Sequence, residues 1–297
     1  MTVNNISSVN SDEIIGRHEN CAPGVSSDNL SCMQITQLVG VAKAYNMDNP
    51  NSEIKLTRTL GTLNPRKYKK HLLKELGSRL SKTCSTQKCW TEQKFIRNME
   101  KIQKDELVKY TFRPKGPKGK FAWLSTFNID DVMTQYENVY HDFKYLGTVP
   151  MDFDSLPSTG IRDMDFKKLY SEEGVKKIGM VLNLDEHDKS GSHWVATYSD
   201  LELGQVYYFD SYGTSPEKRV RAFMRRVARD CKNINQNIKV NADHNKIRHQ
   251  FKNSECGVYS MNFIIRMLKG EGFKNITETI TTDDQINEFR NIYFAKK

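Results

Sequence analysis

The chain has no run of 18 apolar residues, which excludes a membrane-spanning helix. Residues 1–16 lack a basic start and an apolar stretch, so no secretory signal is expected. Glycine (17) and proline (8) are too sparse for a fibrous or wholly disordered chain. Six cysteines in 297 residues are too few and too scattered for a disulfide framework. A reducing compartment is therefore expected, with at least one cysteine free to act as nucleophile or ligand. At this length the chain can hold one large domain or two smaller ones, each able to bury a core.

Charge is present but unevenly placed. Residues 1–54 carry 2 basic and 6 acidic groups, residues 55–120 carry 19 and 5, and residues 121–297 carry 24 and 25. The formal excess of +9 thus arises in one stretch, a local electrostatic feature. Arg66, Lys67, Lys69 and Lys70 form its densest run, with Lys115, Lys118 and Lys120 further on. They are candidates for nucleic-acid contact; the alternative is a solvated helix face. Cys84 and Cys89, with His71 at a distance, offer too few ligands for a structural zinc site, and no metal is expected.

Residues 1–30 read as a loose arm. Helical periodicity predicts helices over 31–46, 65–80 and 91–108, the last with Phe95, Ile96, Met99, Ile102 and Leu107 on its buried side. Two prolines and two glycines in residues 113–120 end this region. The expected division is a basic, mainly helical arm over 1–111 and a catalytic core over 112–297. In the core, helices are expected over 128–143, 217–231, 256–268 and 282–293, the last opened by a Thr282–Gln285 capping box. Strands are expected over 176–184, 193–198, 205–209 and 237–240, with 193–198 and 205–209 forming a hairpin. The mixture indicates an α+β core.

Four residues of the core carry nucleophilic chemistry. Cys256 precedes Gly257 at the start of an apolar helix, where the helix dipole favours a thiolate. Taken singly, a buried structural cysteine is the commoner fate. His193 opens one hairpin strand and Asp210 follows the other, so the carboxylate can accept from the imidazole and fix its tautomer. Gln250 stands six residues before Cys256 and can donate to an oxyanion together with the Cys256 N–H.

The order His193-Trp194, Asp210, Gln250 and Cys256-Gly257 resembles the SUMO-protease and adenovirus-protease group of cysteine peptidases. Trp123-Leu124, Phe112-Arg-Pro-Lys-Gly-Pro, Phe127-Asn-Ile-Asp130 and the Arg248–Gly257 run are similar to its viral branch, the polyprotein proteases of African swine fever virus and other large DNA viruses. The resemblance covers 112–297; 1–111 match it only loosely. It implies a papain-like core of the SUMO-protease type with an N-terminal arm, and a Cys256–His193–Asp210 triad with Gln250 as oxyanion donor. It also implies that Trp123, Trp194 and Gly257 bind a Gly-Gly substrate segment; plain core packing is the alternative for the tryptophans. The swine fever branch carries Asn as third triad member, whereas Asp210 follows the cellular pattern.

What the resemblance implies is a thiol endopeptidase that matures viral core polyproteins in the host cytoplasm and virion. It needs no cofactor for the chemistry, with DNA or a peptide as candidate activator. The nearest alternative is a deconjugating isopeptidase for ubiquitin or a SUMO-type modifier. A more distant one is a nucleic-acid-binding protein with an inactive protease core.

Overall fold

The computed structural model describes residues 21–25, 30–56, 64–119 and 121–295. Most of the expected arm over 1–30 lies outside them, as does Lys120. The chain divides into two units, Met1–Pro114 with Ala295–Lys297, and Lys115–Phe294.

The first unit is helical, as its periodicity predicts. It contains α1 (Ile35–Asp48), α2 (Pro65–Leu80), α3 (Gln87–Trp90), a 3-10 turn (Lys94–Asn98) and α4 (Lys101–Tyr110). The Asn64 side chain caps α2 by accepting from the Lys67 N–H, and Pro65 takes the first turn, where a missing N–H costs nothing. Leu38, Val41, Leu72, Leu76 and Leu107 are fully buried between these elements.

Three expectations fail in this unit. The single helix over 91–108 is broken, because Met99 is extended and the Asn98 amide is drawn to the Ala44 carbonyl and Asp48. The restart shifts the helical phase, leaving Ile102 83% exposed rather than buried. The run Arg66, Lys67, Lys69, Lys70 is not one cationic face. Lys69 is 4% exposed and donates Nζ to the Ser31 carbonyl, since it stands three and seven residues before Leu72 and Leu76 and shares their buried face. Four of the six cysteines are not free: Cys21–Cys32 and Cys84–Cys89 are disulfides, with Cα separations of 5.3 and 5.5 Å. The expectation from compartment and length is corrected here by proximity, and the Cys84–Cys89 pair is bridged rather than ligating. Among the described residues, no group of three or more His, Cys, Asp and Glu side chains is placed to hold a metal. Nor is any helix long and apolar enough to cross a membrane.

The second unit is built on a five-stranded sheet in the order β1 (Phe143–Val149), β2 (Lys177–Asn183), β3 (Trp194–Asp200), β4 (Gln205–Phe209), β5 (Asn241–His244). β1–β2 and β4–β5 are parallel; β2–β3 and β3–β4 are antiparallel. The helices are α5 (Thr126–Val139), α6 (Phe166–Glu173), α7 (Lys218–Ile234), α8 (Cys256–Leu268), α9 (Phe273–Glu278), α10 (Asp283–Glu288) and α11 (Arg290–Tyr293). Successive strand side chains point to opposite faces. Trp194, Ala196, Tyr198, Tyr207 and Phe209 therefore share a core with α5 and α8. Val195, Val206 and Tyr208 share another with α6 and α7. The sheet is covered on both sides, an α+β arrangement as expected.

Differences from the sequence reading fall at weak signals. The helix expected over 128–143 stops at Val139, and Phe143 begins β1. The strand expected over 237–240 lies at Asn241–His244. α6 and α9 are short helices where the sequence pattern predicts none. The helix expected over 282–293 forms as α10 and α11, opened by the Thr282–Gln285 capping box. α8 begins and ends where predicted. Twelve of its 13 residues are buried, and each large apolar side chain among them contributes roughly 1.5–3 kcal/mol. The residue at its start therefore sits on a rigid element.

Candidate active site

Cys256 is the first residue of α8, so its backbone N–H is one of the helix's unpaired donors. It is 3% exposed, and with Cys231 it is one of two free cysteines. Gly257 follows, and a side chain there would be tightly crowded. A Cβ there would lie 3.2 Å from Leu124 Cβ and Cδ1 and from Trp194 Cδ1. Trp194 is itself buried and donates Nε1–H to the Leu124 carbonyl at 3.0 Å. Of the two tryptophans singled out in the sequence, Trp194 thus packs beside the start of α8, while Trp123 is half-exposed.

The hairpin β3–β4 sets the next pair. Ala196 lies opposite Phe209, so His193, just before β3, and Asp210, just after β4, emerge at the same end. His193 Nε2 lies 2.6 Å from Asp210 Oδ1, with both side chains buried. Cys256 acts on the same imidazole and, with Asp210, favours its charged form. Since Nε2 is engaged by Asp210, Nδ1 is the nitrogen left for sulfur. Burial disfavours the imidazolium. The Asp210 and Cys256 hydrogen bonds and charges outweigh burial and push the pKa up to about 9. His193 and Asp210 are therefore in direct contact, and Cys256 lies near enough to act on the same imidazole.

Gln250 is tied to the loop that carries Asp210. It is fully buried; its Oε1 accepts from the Ser211 hydroxyl at 2.6 Å and its Nε2 donates to the Lys252 carbonyl at 2.8 Å. A carboxamide nitrogen has two protons, so one N–H remains to donate elsewhere. Loop 210–213 and loop 245–250 are laced together: the His249 and Gln250 N–H groups both donate to the Ser211 carbonyl. Gly213, at φ +73°, permits the approach, for a Cβ would lie 2.9 Å from the Ile247 carbonyl carbon. His249 itself is buried, with Nε2 facing the Thr277 carbonyl and Nδ1 accepting from the Thr281 N–H. Burial lowers its pKa, and with both nitrogens engaged it is a neutral structural histidine.

Residues 169–297 match the Ulp1 protease family, C-terminal catalytic domain. A protein of Acanthamoeba polyphaga mimivirus, named provisionally as a thiol protease, is 37% identical over 284 residues, 93% of each chain. The chain belongs to the Ulp1 protease family. Its likeness extends to a cysteine protease of African swine fever virus (isolate Tick/Malawi/Lil 20-1/1983), 28% identical over 246 residues, 76% of this chain and 89% of that one. A crystal structure of the African swine fever virus protease superposes with a TM-score of 0.62 at 28% identity, covering 76% of this chain and 90% of that one. A selenomethionine crystal structure of the same viral protease gives 0.65 at 22% identity, covering 94% and 97%. This Ulp1-family chain is thus a cysteine protease whose relatives here are viral.

Several residues that support this family site carry no sequence signal. Asn245, 1% exposed, clamps the Asp210 backbone: its Oδ1 accepts the Asp210 N–H at 2.8 Å and its Nδ2 donates to the Asp210 carbonyl at 2.7 Å. The Tyr212 N–H donates to the same Asp210 oxygen that faces His193, and the Tyr212 ring stacks on the imidazole at 4.3 Å and 5°. Behind Cys256, Arg290 donates to the Ser254 and Ala122 carbonyls and to Asn287, and Asn287 donates to Glu255. Burial lowers the Arg290 pKa, opposed by the charges of Glu255 and Cys256. Only proximity in three dimensions reveals these partners.

Proposed function

We propose that the chain is an endopeptidase cleaving after Gly-Gly-type sites in viral structural polyproteins. The observation that carries the reading is a single buried imidazole that bonds Asp210 at 2.6 Å and on which Cys256 also acts. A Cys256 thiolate facing a protonated His193 is a ready nucleophile, with Arg290 a further positive charge nearby. Sulfur attacks the carbonyl carbon and the electron pair moves to the oxygen. The free Gln250 N–H and the Cys256 N–H are the donors for that oxyanion. His193 Nδ1–H protonates the leaving amine while Asp210 holds Nε2–H. Water, deprotonated by His193, then releases the acyl group from sulfur. No cofactor enters these steps.

In this reading Trp123 and Trp194 flank the path of the Gly-Gly segment, where the absence of a side chain lets the substrate backbone pass. The approach of Gly257 to Leu124 and Trp194 supports a packing part for Gly257 rather than a contact with substrate. The name SUMO-1 cysteine protease, carried by a relative from African swine fever virus isolate Pig/Kenya/KEN-50/1950, favours deconjugation as the second reading. Purified chain should cleave a viral core precursor and Gly-Gly-Ala peptides, and a Gly-Gly vinyl sulfone should alkylate Cys256. Cys256→Ala and His193→Ala should lose turnover while keeping the native circular dichroism. Undiminished turnover in Cys256→Ala refutes the mechanism, and cleavage of SUMO or ubiquitin conjugates alone selects the second reading.

A further inference from the structure

Resting on the proteolytic reading above, we propose that Arg248 anchors a subsite for an acidic substrate side chain on the leaving-group side of the scissile bond. Three cations follow one another along the loop that leads to Gln250 and Cys256. Lys246 Nζ lies 3.8 Å from Asp243, and Lys252 Nζ lies 2.5 Å from Asp284. Arg248, between them, has no carboxylate within ion-pair reach among the described residues.

It is exposed and yet held in place. Its Nε donates to the Gln250 carbonyl at 2.6 Å, and its guanidinium carbon lies 4.9 Å from the Tyr212 ring centre and 5.0 Å from that of Phe251. An ordinary surface ion pair gains little because a long side chain must first be ordered. Here two rings and a hydrogen bond have already ordered it. The two terminal nitrogens keep the planar fork that matches a carboxylate. The acidic groups nearby do not compete. Asp210 faces His193, and Asp283 Oδ2 accepts from the Phe251 and Lys252 N–H groups.

The side of the cleft follows from His193. The imidazole that protonates the leaving nitrogen borders the chain beyond the scissile bond. Tyr212 covers the face of that imidazole at 4.3 Å and Arg248 lies 4.9 Å from Tyr212, so the guanidinium is within about 9 Å of the imidazole. An extended peptide advances ~3.3 Å per residue, so the subsite takes the second or third residue after the bond. Phe251, 68% exposed, adds an apolar flank for the methylenes of a glutamate.

The test uses the full chain and quenched-fluorescence Gly-Gly-Ala peptides carrying Glu, Gln or Lys at the second or third position after the bond. The wild type should prefer Glu over Lys in kcat/KM by about fivefold, a preference that shrinks with added salt. Arg248→Glu should prefer Lys. The readout is a ratio within one protein, so a general loss of folding or turnover does not move it. A flat ratio in the wild type, or one that Arg248→Glu leaves unchanged, overturns the subsite. So does an acid preference confined to the acyl side. Cleavage with a flat ratio sinks the subsite alone, whereas failure to cleave any peptide of the series sinks the Gly-Gly reading with it.

Discussion

Asp210→Asn isolates the charge of the site from its geometry. The amide keeps the shape of the carboxylate, and its oxygen can still accept from the Tyr212 N–H. The perturbation removes the charge from a buried hydrogen bond of 2.6 Å to His193, made by the same oxygen. Such bonds contribute ~1.5–3 kcal/mol, and ~1.4 kcal/mol corresponds to one pH unit. The His193 pKa should therefore fall from about 9 to ~7–8. The assay is kcat/KM on a Gly-Gly peptide between about pH 5 and pH 10. In the wild type the alkaline limb marks loss of the His193 proton and should fall near pH 9. In Asp210→Asn it should move down by one to two pH units. Stability supplies a second reading. His193 has its pKa raised above the unfolded value of 6.5, so its stabilisation is fully present below that pH and is lost as pH rises through about 9. Urea unfolding of the wild type should show this loss, and Asp210→Asn should flatten it. An alkaline limb that stays near pH 9 in the variant would show that Asp210 is not what holds the imidazolium.

Gln250→Ala should lower kcat by ~100-fold with little change in KM, the loss typical of one oxyanion donor; an unchanged kcat in steady-state assays would remove Gln250 from the mechanism. Gly257→Ala places a methyl 3.2 Å from Leu124 and Trp194, and overpacking of this kind costs ~1–3 kcal/mol. Its melting temperature should fall, with a change in Trp194 fluorescence, and a melting curve superimposable on the wild type contradicts the packing. Denatured but unreduced protein should take up two iodoacetamide groups per chain by mass spectrometry, at Cys231 and Cys256, and six after reduction. Six before reduction would show that the two disulfides do not form.

Much of the site was legible because its chemistry sits on strong local signals. Pro65 after Asn64 marks a helix start, and α8 reads as helix from its apolar content. The hairpin alternation brings His193 and Asp210 to one end by register alone. The illegible parts share a cause. β1 follows α5 with only three residues between, and nothing in Tyr140-His-Asp142 marks a change of period. Lys69 belongs to a basic run, and only the position of Ser31 shows that it turns inward. Cys21 and Cys32 bond because the fold brings their Cα atoms to 5.3 Å, which composition does not encode.

Sequence alone determined which reactive groups exist, their order, and the rigid helix and hairpin that present them, because periodicity and turn chemistry act over a few neighbouring residues. Only the tertiary structure decided how those groups are held: the Asn245 clamp on Asp210, the Ser211 bridge to Gln250, the Tyr212 ring on His193 and the Arg290 network behind Cys256. These contacts join residues up to 168 positions apart. Their energies depend on burial and on separations of a few ångströms, which no local pattern specifies.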